Sequence, residues 1–211
     1  MSNINKKIAA EILNIFQERY VDVNVPLLSY DMLNSWLNDS QQKLISYIMS
    51  LKPINYSQKE IPENDVLNSE CLEPSNASEE QKIFARIPKK VDSAFIELQK
   101  ACYENTGFKI FIVSGYRSKT YQALLFLREF YNNEFILENT LTKILPPAYS
   151  EHGDANNPAI DISAETISSN EFSDYIYPWL AKNAEIYGFK ESYTKNNGVM
   201  IWEPWHWRLH I

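Results

Sequence analysis

The β-rich runs of this chain are short and unevenly spaced, and that pattern limits its fold more than any other feature. Lys109-Ile110-Phe111-Ile112-Val113 and Ala159-Ile160-Asp161-Ile162 read as strands, with Asp161 pointing away from the face of its flanking isoleucines. Phe189 to Tyr193 and Val199 to Leu209 read as two more, joined at Lys195-Asn196-Asn197-Gly198, whose Asn-Gly suits a tight hairpin. Helical patterns separate them. Val91, Ala94, Phe95, Leu98 and Cys102 form one apolar face, ending before the turn at Gly107. Tyr121 to Tyr131 is apolar enough for a buried helix, and Asn139 to Tyr149, with Pro146-Pro147, reads as a loop. Tyr175, Ile176, Trp179, Leu180, Ala184 and Tyr187 form another helix, for which Gly188 is the natural stop. No regular βαβ alternation runs through this mixture, so the expected fold class is α+β.

Ahead of this region, Ile4, Ile8, Ile12, Ile15 and Phe16 predict an amphipathic helix ending near Tyr20. Met32, Leu33, Trp36, Leu37, Leu44, Ile45, Ile48 and Met49 predict a second helical stretch, broken near Asn38 to Ser40. These stripes are expected to bury against the body of the protein; the other reading is a helix pair that binds a protein partner. From Lys52 to about Ser78, Pro, Asn, Ser and Glu replace large apolar residues, the composition of a long loop. The expected organisation is a helical N-terminal extension over 1–50, a linker or wrapping loop over 51–87, and a compact domain over 88–211.

Charge narrows the partners. With 27 acidic against 20 basic residues the chain carries −7, whereas a general phosphate-backbone binder needs a basic face; nucleic acid is not an expected partner. Cys71 and Cys102 lie far apart without metal-type spacing, which favours two reduced thiols over one disulfide. Glu11, Gln17, Glu18 and Arg19 interrupt the N-terminal apolar residues, so no signal-peptide core is read there. No run approaches the roughly 18 apolar residues of a membrane span. The expectation is a chain that stays in the cytoplasm of its maker or leaves by a route needing no cleaved signal.

The chain has three histidines, His152, His206 and His210. His152 stands in Ser150-Glu151-His152-Gly153-Asp154, with Asp161 nine residues on, and His206 follows Glu203 by three. Two imidazoles and one carboxylate suit zinc with a fourth position open to water, while a nearby unligated carboxylate serves as base. Glu203 fits that second role only if the chain bends, because residues three apart on a strand face opposite ways; Pro204 supplies a reason for a bend. Taken singly, a histidine is more often structural or exposed than a ligand, an aspartate in a short strand can simply cap or pair, and Trp202, Trp205 and Trp207 are open to plain core packing.

Taken together, SGYRS at 114–118, Gln122, YSEH at 149–152, AID at 159–161, WLAKNAEIYGF at 179–189 and EPWHWR at 203–208 carry a resemblance. From about Pro88 to Ile211 the chain resembles the zinc D-alanyl-D-alanine carboxypeptidases of the VanY type, within the larger group that includes lysostaphin-like peptidases and the hedgehog signalling domain. The resemblance implies a small, mostly antiparallel sheet with helices packed on it. It implies one Zn²⁺ per chain held by His152, Asp161 and His206, with Glu203 as catalytic base. It implies that Arg117 binds substrate and stabilises oxyanion charge, that Gln122 helps hold the peptide, that Tyr149 and Ser150 shape the pocket, and that Trp205 packs under the site. One departure stands out: GDANNPAI between His152 and Asp161 is two residues longer than the family pattern HxxGxAxD, and its glycine is displaced.

The activity so implied is hydrolysis of D-amino-acid-containing bonds in peptidoglycan stem peptides or muropeptides, as a D,D- or L,D-carboxypeptidase releasing terminal D-alanine. A peptidoglycan endopeptidase acting as an exported antibacterial effector or phage lysin is the alternative within the enzyme class. A zinc-holding binding module without turnover is the alternative outside it, and the presence of Glu203 argues against it, since a structural metal needs no base beside it.

Overall fold

The computed structural model describes residues 3–53, 60–61, 71–72, 85–165, 167–195 and 200–210. They form an α+β protein whose contacts divide into two units. Met1–Glu63, Arg117–Gly153 and Val199–Ile201 make the first; Asn64–Tyr116, Asp154–Gly198 and Trp202–Ile211 make the second.

The first unit is helical. Helix α1 covers Asn3–Arg19, α2 Tyr30–Trp36 and α3 Asp39–Met49. The break between α2 and α3 has a local cause: Asn38 accepts from the backbone N–H groups of Ser40 and Gln41, and Gln41 Oε1 accepts from Asn38 N, a reciprocal capping box. Helix α5 (Lys119–Asn132) starts at Ser118, whose hydroxyl accepts from Tyr121 N and donates to Leu28 O. The apolar stripes predicted for the N-terminal helices are buried along their centre, while Ile8, Ile15, Phe16, Trp36 and Met49 are partly covered and Met32 is exposed. Ile12, Leu33, Ile45 and Ile48 share a core with Leu124, Phe126, Leu127 and Phe130 of α5. Part of the segment expected as a loop over 139–149 is helical, with α6 at Leu137–Leu141 and a 3₁₀ turn at Pro147–Tyr149.

The second unit holds the sheet. Among the described residues its order is β3-β4-β6-β5, antiparallel throughout: β3 Ile110–Ser114, β4 Ala159–Ala164, β5 Phe189–Glu191 and β6 His206–Leu209. A separate short pair joins β1 (Cys71–Leu72) to β2 (Ile87–Pro88), inside and just after the expected loop, most of which lies outside the described residues. Helix α4 (Lys89–Thr106) follows β2, and Val91, Phe95, Leu98 and Cys102 pack with Ile110, Ile112, Ile160 and Ile162 of the sheet. Burial raises the Cys102 thiol's pKa, as expected of an inert core thiol.

A helical run opens with α7 (Ser169–Glu171), passes through a π turn at Phe172–Ile176, resumes as α8 (Tyr177–Asn183) and tightens to 3₁₀ over Ala184–Tyr187. Pro178 has no N–H to return to the preceding turn, which accounts for the irregular start of α8.

Both predicted helix-ending glycines are left-handed, with φ of +77° at Gly107 and +84° at Gly188. The last strand is shorter than expected: instead of running from 199, it begins at His206, because Glu203 to His206 forms a turn with Pro204 at its second position. Residues 196–198 of the expected hairpin turn lie outside the described residues.

The longer segment between His152 and Asp161 is tied down within this unit. Asp154 Oδ1 accepts from the backbone of Asn156 and Asn157, and its other oxygen pairs with Arg208 Nη2. Arg208 Nε also donates to Asn157 O at 3.0 Å, and Asn157 Nδ2 donates to Leu209 O at 2.7 Å. The segment thus forms an Asx turn clamped to β6, directly ahead of the β4–β6 pairing that starts at Ala159.

Two substitutions test these assignments. No atom lies within 4 Å of where a Gly107 Cβ would sit, so Gly107→Ala isolates the conformational cost and should destabilise by about 1 kcal/mol in denaturant titration. Arg208→Ala removes a partly buried charge-assisted pair and should cost about 2 kcal/mol by the same measurement.

Candidate metal centre and active site

In the second unit, the β4–β6 pairing sets Asp161 directly opposite His206. Ile160 and Ile162, on either side of Asp161, are buried in the core, which turns the carboxylate to the other face. His206 Nδ1 lies 3.2 Å from Asp161 Oδ1, with the imidazole side chain 3% exposed and the carboxylate 14%. Two atoms bound to one tetrahedral zinc at about 2.0–2.1 Å sit about 3.3 Å apart, so this separation suits a shared metal as well as a direct hydrogen bond. Tyr193, which no motif had indicated, packs its ring on His206 at 4.5 Å between centroids and 30° between planes. Sequence carried only a weak signal for it, an aromatic just after β5.

Glu203 reaches the same place through the turn. His206 N donates to Glu203 O at 3.1 Å, and Trp207 Nε1 donates to Pro204 O at 2.9 Å, so the bend read from Pro204 is held by backbone and indole together. The Glu203 carboxylate then lies 3.9 Å from His206 Nδ1 and is 23% exposed. That is too far to share an edge of the coordination tetrahedron and near enough to act through one water. Trp205 is half-buried against the core, and its carbonyl accepts from Ile162 N, which extends the β4 attachment past the strand end.

A bulge at Val113 interrupts β3 where it passes Asp161: Ile112 pairs with Ile162, but Ser114 pairs with Asp161. A cleft of about 240 Å³ opens beside Asp161, lined also by Val113, Ser163, Ser169, Phe172 and Trp205. The glycine of SGYRS has a steric reason. A Cβ on Gly115 would strike the Arg86 carbonyl oxygen and stand 2.6 Å from Ile87 Cγ2, while Tyr116 N donates to that same carbonyl.

The first unit carries the remaining candidates. His152 is buried, on a 3₁₀ turn at Glu151–Gly153, and its carbonyl accepts from Arg117 N at 2.9 Å. The arginine and histidine motifs are thus joined by their backbones, with the Arg117 side chain half-buried. Tyr149 and Ser150 are buried beside them in sequence. Gln122 is not on a solvated helix face: it is 2% exposed, its Nε2 donates to Leu145 O, and its Oε1 has no hydrogen-bond partner among the described residues.

The donor set of two imidazoles and one carboxylate fits zinc by chemistry. Comparison with known proteins agrees in kind. Among solved structures, the chain is similar to a mutant of the vancomycin-resistance D,D-pentapeptidase VanY from a VanB-type cassette in complex with Zn(II), with 25% identity and a TM-score of 0.56 over 77% of this chain and 88% of that one. It is also similar to the LdcB LD-carboxypeptidase, a structure described as revealing the molecular basis of peptidoglycan recognition, with 27% identity and a TM-score of 0.52 over 74% and 70%. VanYB in complex with D-alanine-D-alanine shares the fold, at 24% identity and a TM-score of 0.56 over 77% and 86%. No curated protein sequence matches the chain. A family model for VanY, D-alanyl-D-alanine carboxypeptidase, matches residues 85–210, more than half of the chain. The chain belongs to the VanY D-alanyl-D-alanine carboxypeptidase family.

Proposed function

We propose that this protein is a zinc-dependent carboxypeptidase that removes terminal D-alanine from peptidoglycan stem peptides, with its catalytic domain over 88–211. The observation that carries the proposal is the convergence of Asp161, His206 and Glu203 at the β4–β6 edge, two groups at ligand-edge spacing and a third at one-water distance. The D,D-pentapeptidase and LD-carboxypeptidase activities of the two similar structures support the substrate class.

In this proposal Asp161 and His206 are two ligands and His152, buried on its 3₁₀ turn, is the third. A zinc ion held by these three would supply Lewis-acid polarisation of a carbonyl and acidification of water. Glu203 accepts a proton from that water as its oxygen forms a bond to the carbonyl carbon. When the C–N bond breaks, Glu203 returns the proton to the leaving amine, so the released D-alanine departs neutral at nitrogen before taking its solution charge. The Arg117 guanidinium binds the substrate and offsets the negative charge that develops on oxygen. Gln122 helps hold the peptide, and Tyr149 and Ser150 shape its pocket.

Incubating the zinc-loaded protein with muropeptides bearing pentapeptide, tetrapeptide and cross-linked stems, followed by mass spectrometry, tests the activity. Loss of one alanine from pentapeptide marks D,D-carboxypeptidase action and loss from tetrapeptide L,D action. Separation of cross-linked stems alone, or no cleavage at all, would overturn the carboxypeptidase reading. Glu203→Ala should lower kcat by about 10²–10⁴-fold while zinc stays bound. His152→Ala, Asp161→Ala and His206→Ala should each weaken zinc binding in a chelator competition; a variant that binds zinc as wild type removes that residue from the ligand set.

A further inference from the structure

Glu191 ends β5, opposite Trp207 in the β5–β6 pairing, and belongs to none of the motifs read from the sequence. Both of its carboxylate oxygens are engaged. Trp202 Nε1 donates to Oε1 at 2.9 Å, and the Tyr177 hydroxyl donates to Oε2 at 3.1 Å. The rings of those two donors meet edge to face, with centroids 4.9 Å apart and planes at 80°. Lys195 Nζ lies 4.1 Å from the Trp202 ring centroid, a cation–π contact on the same indole. Burial, and then the Glu191 charge, push the Tyr177 pKa above that of an ordinary phenol, so Tyr177 stays a donor through neutral pH.

Trp202 is only half-buried, and its neighbour Ile201 is 52% exposed, so core formation does not explain an indole held by a carboxylate, a phenol and an ammonium. The position of Trp202 in the chain does explain it. The next residue is Glu203, and the chain there has left the ladder: β6 starts only at His206. His206 has Asp161 and Tyr193 to orient it, and Pro204 has the Trp207 indole on its carbonyl. The approach to the base is held by the backbone at Ile201, whose N donates to Thr142 O at 2.7 Å, and by the side chain at Trp202.

Resting on the peptidase reading above, we propose that Glu191 is a positioning residue for the catalytic base: by holding the Trp202 indole it fixes the path of the chain into the Glu203–His206 turn, and with it the place of the Glu203 carboxylate. Glu191 touches neither substrate nor metal ligand in this role. Its effect falls on proton transfer and leaves metal binding alone, because Asp161 and His206 are set by the β4–β6 register.

The test measures kcat and KM on whichever muropeptide the wild type cleaves, and zinc affinity by chelator competition, in four variants. Glu191→Ala should lower kcat by about 10–100-fold, the range found for residues that orient a catalytic group, with KM and zinc affinity within about twofold of wild type. Glu191→Gln keeps a carbonyl acceptor for the indole and should recover to within about fivefold of wild type. Trp202→Phe keeps the ring, removes the N–H, and should lower kcat in the same direction. Combined with Glu191→Ala it should add little, because both variants remove one shared interaction. Should Glu191→Ala fail to fold, Trp202→Phe decides alone. An unchanged kcat, or zinc affinity and KM worsening in step with kcat, would overturn the assignment while leaving the peptidase reading intact. A wild-type protein that cleaves none of the muropeptides overturns the peptidase reading and this assignment with it.

Discussion

The pairing of Asp161 with His206 across β4 and β6 is the constraint on which the second unit turns. In an antiparallel ladder, directly opposed residues project to the same face, and a slip of one residue sends a strand's side chains to the other. Here such a slip would also expose Ile160 and Ile162 and bury the Asp161 carboxylate, so the hydrophobic core and the carboxylate–imidazole pair enforce the same register. Core formation thus places two polar groups 3.2 Å apart without a separate device.

What the ladder cannot do is bring in Glu203. Side chains three apart on an extended strand diverge, so the chain must leave the strand before His206 and fold back. Pro204 supplies the turn, and the tryptophans divide the work of holding it. Trp207 binds the Pro204 carbonyl, Trp205 lends its carbonyl to β4, and Trp202 is seated on Glu191. An aromatic-rich closing segment that looks like core packing is in large part a frame of directed hydrogen bonds.

Loops absorb the departures. The segment between His152 and Asp161 is turned by Asp154 and clamped to β6 by Arg208 just ahead of β4. Loop closure depends weakly on length, whereas an extra residue within a strand forces a bulge such as the one at Val113. In the first unit, the N-terminal helices share their core with α5, and Leu28 and Pro26 accept hydrogen bonds from Ser118, the last residue of SGYRS. Residues outside the family match thereby help support a motif within it.

Much of this was legible in the sequence. The periodicities of α1 to α4, the apolar run of α5, the stops at Gly107 and Gly188, the inward and outward alternation of 159–162 and the bend at Pro204 are local properties, decided by side-chain spacing and backbone freedom over a few residues. The motifs likewise marked Asp161, Glu203 and His206 as candidates. Sequence could not supply what depends on partners far along the chain. The strand order, the bulge at Val113, the stacking of Tyr193 on His206, the Arg208 clamp and the seating of Trp202 on Glu191 all join residues whose relation appears only once the chain is packed. From sequence alone came the candidates for the chemistry and the short segments that are helix or strand. Only the tertiary structure decided that Asp161, Glu203 and His206 meet, because a distance across a sheet is set by register and packing, and neither is a property of any one segment.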